Sequence, residues 1–165
     1  MIKVIVIDDE PLALQQIAEM VKRTPYFELV AACDSAFEAM QTMEQQHIDA
    51  IFTDINMPDL SGMKYIESLR EQPIVVFTTA YSQYAVDGYK VGAVDYLLKP
   101  FGQPEFQRAA AKVKEQYELR QAAHLQAAAT PSTPTSSDNN ILFVKDGYNY
   151  IRILLADIVY IESQS

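Results

Sequence analysis

"AIFTDINMPDLSG", residues 50–62, carries the architecture of this chain. Ile51 and Phe52 read as a buried strand, and the run ends on Asp54. Pro58, Asp59 and Gly62 then form turns. An apolar strand is brought out of the core with a carboxylate at its tip. The segments on either side explain why.

Upstream, "KVIVI" (3–7) reads as a strand buried on both faces. Leu14, Ile17, Ala18 and Val21 follow helical spacing. "FELVAA" (27–32) is a second strand. Ser35 and Glu38 form a capping box ahead of Ala36, Ala39, Met40 and Met43, which share a helical face expected in the core. "DAIFT" is the third strand, and Met63, Ile66 and Leu69 suggest a third helix. "PIVVFT" is the fourth strand, with a helix expected around 83–91, and "AVDYLL" is the fifth. Pro104 suits a helix start, and Phe106, Ala110, Val113 and Tyr117 line one face of the last helix. Past Leu119 that helix loses its apolar stripe and is expected to project. Strands alternating with helices imply a parallel sheet covered on both faces.

In such a sheet, ligands bind beyond the carboxyl ends of the strands. Here those ends carry Asp8 and Asp9, Asp54, Thr78 and Thr79, and Lys99-Pro100. Each has a structural explanation by itself: Asp9 or Glu10 as a helix cap, Asp54 as a turn carboxylate, Thr79 as a strand residue, Lys99 as a surface charge. Together they place three carboxylates, a hydroxyl and an ammonium at neighbouring tips. Clustered carboxylates repel one another, and oxygen ligands of this kind suit a hard divalent cation such as Mg²⁺.

Four segments, "VIDDEP", "TDINMPDLSG", "TTAY" and "DYLLKPF", resemble the signature segments of bacterial two-component response-regulator receiver domains. The resemblance covers about residues 1–120. It implies a flavodoxin-like, doubly wound, five-stranded parallel sheet of order 2-1-3-4-5. It also implies that Asp54 is the phosphoacceptor and that Asp8, Asp9, Asp54 and the backbone carbonyl of Asn56 hold Mg²⁺. By the same resemblance Thr79 and Lys99 contact the phosphoryl group, Tyr96 is the switch aromatic, and the Lys99–Pro100 bond is cis. A sensor histidine kinase would be the donor, and the chain would be a signalling protein rather than an enzyme.

Residues 121–140 are expected to be a helix extension and linker, the linker being "ATPSTPTSSDNN" (129–140). Residues 141–165 change texture: β-branched and aromatic residues flank an Asp146-Gly147 turn signal, which suggests a hairpin and a third strand. "VKDGYNYIRILLADIVYIES" resembles the first strands of a LytTR-type DNA-binding domain. The segment reads as a truncated piece of that domain, too short to bury a core. Promoter DNA is therefore expected to be bound by an intact output domain and not by this fragment. Its unpaired strand edges make a homodimer by strand pairing an expectation.

The 165 residues are 49% apolar with a formal net charge of -9, which disfavours binding phosphate backbones. Cys33 is the sole cysteine, so a disulfide within the chain is excluded, and a reduced cytoplasmic setting fits. It is expected to be a packing residue. His47 and His124 lack metal-ligand spacing and are expected at the surface. No apolar run approaches membrane-spanning length. Two rival functions remain. One is a receiver that signals through protein contacts alone. The other is a haloacid-dehalogenase-type phosphatase, which wants a general acid two residues after its aspartyl nucleophile. Asn56 stands there and cannot exchange a proton.

Overall fold

The computed structural model describes residues 1–58, 62–83, 92–128, 141–146 and 149–154. The strands are β1 (Ile2–Ile7), β2 (Phe27–Cys33), β3 (Ala50–Asp54), β4 (Ile74–Thr79) and β5 (Asp95–Leu98), with helices α1 (Pro11–Lys22), α2 (Ala36–Gln45), α3 (Gly62–Ser68) and α4 (Gln103–Ala128). The five strands are parallel in the order β2-β1-β3-β4-β5, as the resemblance implies. The helix expected around 83–91 and the linker over 129–140 lie outside the described residues, as does the side chain of Met63.

Strand alternation sorts the core into two layers. Val4, Val6, Ala50, Phe52, Ile74, Val76 and Leu97 pack against Ile17 and Val21 of α1 and Phe106, Ala110 and Val113 of α4. Ile5, Ile7, Ile51, Val75 and Phe77 face the other way, toward Ala36 and Ala39 of α2 and Tyr65 and Ile66 of α3. Phe52 stacks on Phe106 at 5.2 Å between ring centroids, tying the central strand to α4.

The helix ends differ from expectation in two details. Ser35 caps α2 by accepting from the Glu38 N–H, but the Glu38 carboxylate accepts from the Asp34 N–H, one residue earlier than a capping box requires. Glu10 stands at the cap of α1 without a side-chain bond, and Pro11 opens the helix. Met40, expected in the core with Met43, is 44% exposed, whereas Met43 packs against the α2–α3 layer. Ala39 and Met43, three and seven residues on from Ala36, fall to one side of it around the helix, whereas Met40, four residues on, falls to the other side and sits at the rim. Beyond Leu119, α4 continues to Ala128 with exposed side chains, as its lost stripe suggests.

The chain divides into two compact units, Met1–Ala127 and Ala128–Ser165. In the second, β6 (Ile141–Asp146) and β7 (Asn149–Leu154) form an antiparallel pair with Asp146 opposite Asn149. This is the expected hairpin. Its turn residues, Gly147 included, and any third strand lie outside the described residues.

Candidate functional site at the carboxyl ends of the strands

The order β2-β1-β3 reverses the direction of winding between β1 and β3, which opens a crevice at their carboxyl ends. Asp54 ends β3 and Asp8 follows β1. Asp54 continues the alternation of Ala50 and Phe52, and Lys99 that of Leu97, so both rise from the α1–α4 face. Asp8 is fully buried and Asp54 is 5% exposed, while Asp9 is exposed.

Lys99 crosses from β5 over β4 to reach them. Its Nζ lies 2.7 Å from Asp8 Oδ2 and 3.3 Å from Asp54 Oδ1. The remaining carboxylate oxygens accept backbone amides. Asp8 Oδ1 takes the Glu10 N–H at 3.0 Å, and Asp54 Oδ2 takes the Asn56 N–H at 3.1 Å. Burial pushes the Asp54 carboxyl above its usual range; the Lys99 ammonium opposes that shift and Asp8 adds to it. Burial pulls Lys99 down, but the hydrogen bond to Asp8 and the charge of Asp54 outweigh it and raise its pKa.

Carboxylate oxygens of Asp8, Asp9 and Asp54 lie within 4.8 Å of one another. Three carboxylates against one ammonium leave two negative charges unbalanced. An all-oxygen set with that deficit fits a hard dication.

The other expected residues surround this centre. Thr79 is buried at the end of β4, and its hydroxyl accepts the Tyr81 N–H at 3.0 Å. The Tyr96 ring stacks on Phe77 at 5.5 Å, and its hydroxyl is buried. Asn56 is exposed, and its backbone N–H faces Asp54. The Lys99–Pro100 bond is cis. The Lys99 N–H donates to Thr79 O at 2.7 Å and so fixes β5 to β4 beside the site.

Gly62 carries a role that its sequence signal, a turn glycine, did not disclose. A Cβ there would collide with the Asp54 carbonyl oxygen and crowd Thr53 Oγ1. The start of α3 is thus packed directly on the backbone that holds Asp54, with the Gly62 N–H bonded to Ile55 O at 3.0 Å.

The remaining candidates are structural. Cys33 is buried, and burial together with nearby Glu38 pushes its thiol up to about 11, so it stays protonated. His47 and His124 are exposed. A groove of about 910 Å³ at the opposite pole, lined by residues such as Met43, Tyr65 and Arg120, gathers no comparable set of acids.

The fold and site define an α/β module with a cluster of acids and one lysine at the carboxyl ends of its parallel strands. A family model described as "Response regulator receiver domain" matches residues 4–111, and the chain belongs to that family. It is 39% identical over 116 residues to the sensory transduction protein LytT of Enterococcus faecalis, covering 68% of this chain and 48% of that protein. It is 30% identical over 164 residues to the transcriptional regulatory protein YpdB of Escherichia coli, covering 98% of this chain and 65% of that protein. The chain therefore spans between about half and two thirds of these relatives' lengths. Among solved structures, it resembles the response regulatory domain of protein mrkE from Klebsiella pneumoniae, with a TM-score of 0.66 and 30% identity, over 72% of this chain and 99% of that one.

Proposed function

We propose that residues 1–120 accept a phosphoryl group on Asp54 from a sensor histidine kinase. One observation carries the reading: a buried carboxylate at the tip of the central strand, touched by an ammonium and within 4.8 Å of two further carboxylates. Asp54 is the nucleophile, held rigidly at a strand end. Asp8, Asp9, Asp54 and the carbonyl of Asn56 hold Mg²⁺, which when bound neutralises charge on the transferring group. Lys99 contributes the second cation. The product brings about two negative charges to a pocket built around one ammonium. Thr79 redirects its O–H, which donates to Tyr81 O at 3.5 Å, to the new oxygens, and Tyr96 moves into the space it leaves. The chain acts as a switch rather than as an enzyme with an external substrate.

Residues 121–140 connect this receiver to residues 141–165, the start of a LytTR-type DNA-binding output. Two features support a transcriptional output: the match to YpdB extends over 98% of the chain, and a strand pair follows the linker. On this reading the parent protein binds promoter DNA, in a cytoplasmic setting. Among the described residues no helix is long and apolar enough to cross a membrane. Incubation with a small-molecule phosphodonor and Mg²⁺, followed by mass mapping, tests the assignment. Label should fall on Asp54 alone and vanish in Asp54→Asn; label on Asp8 or Asp9 would refute it.

A further inference from the structure

We infer that the Thr78 hydroxyl is a positioning group for Lys99, taking up its ammonium when a divalent cation occupies the carboxylates of Asp8 and Asp54. The inference rests on the receiver-site reading above and adds a residue to it.

Thr78 is fully buried, and its Oγ1 has no hydrogen-bond partner among the described residues. A buried, unpaired hydroxyl is unfavourable, and valine would fill the same space without it. An unsatisfied polar group in a well-packed strand therefore calls for a state in which it is satisfied. Its position names the partner. Thr78 pairs in register with Asp54 on one side and Leu97 on the other. It shares the α1–α4 face with Ile74 and Val76, two and four residues earlier on its strand. Lys99, two residues past Leu97, rises from the same face of β5. To reach Asp54 on β3 and Asp8 beyond β1, the lysine must cross β4, the strand that carries Thr78.

An inventory of acceptors points the same way. Asp8 Oδ1 and Asp54 Oδ2 accept backbone amides, Thr79 Oγ1 accepts the Tyr81 amide, and Thr53 Oγ1 donates to Asp54 O. Asp8 Oδ2 and Asp54 Oδ1, the oxygens without a backbone amide, are the two that Lys99 occupies. A dication held by Asp8, Asp9 and Asp54 would compete with the ammonium for these oxygens and repel it. Thr78 Oγ1, on the strand that Lys99 crosses, is a buried oxygen that makes no hydrogen bond among the described residues. Held there, Lys99 stays beside Asp54 instead of swinging into solvent.

Mg²⁺ titration by calorimetry, with thermal melts in chelator, tests this in the whole chain. Thr78→Val should melt at or above the wild-type temperature without metal, because it removes an unpaired hydroxyl. Its Mg²⁺ affinity should fall about tenfold, the loss of one hydrogen bond to a charged group. Thr78→Ser should stay within about threefold of wild type, since it keeps the hydroxyl. In a Lys99→Met background, Thr78→Val should change the affinity less than about twofold, because the coupled partner is gone. Unchanged affinity in Thr78→Val, a lower melting temperature without metal, or a tenfold loss that persists in the Lys99→Met background overturns the inference alone, provided that wild type binds Mg²⁺ and Asp9→Ala does not. If wild type fails to bind Mg²⁺, or binds it regardless of Asp9→Ala, the site reading falls and the inference with it.

Discussion

Replacing Lys99 by methionine removes the ammonium and keeps most of the side-chain volume. It leaves Asp8, fully buried, and Asp54, 5% exposed, facing each other with one backbone amide apiece. Stripping one partner from a buried ion pair costs about 3–5 kcal/mol, because the remaining charge is uncompensated. For a domain of this size each kcal/mol moves the melting temperature by roughly 4 °C, so a drop on the order of 10–20 °C is expected in chelator at pH 8. Two conditions should shrink it. At pH 5 Asp54, whose pKa burial and Asp8 already raise, can take a proton and relieve the repulsion. Mg²⁺ replaces the missing charge: at a hundred times its dissociation constant a ligand stabilises by about 2.7 kcal/mol, and no ammonium competes for the site in the variant. Thermal melts at both pH values, with and without Mg²⁺, provide the assay. A variant that melts within about 1 °C of wild type in chelator at pH 8 would show that Lys99 is not the charge that holds this cluster together.

Further outcomes follow from the same geometry. Since the folded-state pKa of Asp54 lies above its unfolded value, its contribution to stability is present below about pH 4 and is lost as pH rises through the folded pKa. Asp54→Asn, melted without metal, should therefore exceed wild type in stability at pH 7 and converge on it in acid; a variant less stable at pH 7 contradicts the burial argument. Gly62→Ala must displace the Asp54 backbone or the start of α3, so it should lose about 1–3 kcal/mol and slow phosphorylation more than tenfold, as read by denaturant melts and labelling rates. Finally, the chain should show negligible binding to any duplex at physiological salt, phosphorylated or not, because its net charge is -9 and residues 141–165 offer only Lys145 and Arg152 as cations. Sequence-specific binding at submicromolar protein, measured by anisotropy against the parent's promoter site, would contradict this.

Much of the site was legible in the linear order of residues. A parallel strand fully covered by helices must be apolar, so an acid that ends such a run marks the exit of the chain from the core. Asp8 and Asp54 were visible for that reason, and Lys99 as the charge that follows the fifth strand. Faces of helices were less legible: Met40 matched the spacing yet lies at the rim, since the breadth of the buried stripe depends on how closely α2 meets the sheet. Distances and pairings belong to the tertiary structure alone. That Lys99 bonds Asp8 more closely than Asp54, and that α3 packs on the Asp54 carbonyl so closely that only glycine fits at 62, depends on strand order and on contacts between residues far apart in the chain. The state of Thr78 is of the same kind. Its sequence position says only that a β-branched residue suits the strand. Whether its hydroxyl is satisfied depends on which groups the neighbouring strands and helices bring within hydrogen-bonding distance, and local sequence does not encode that.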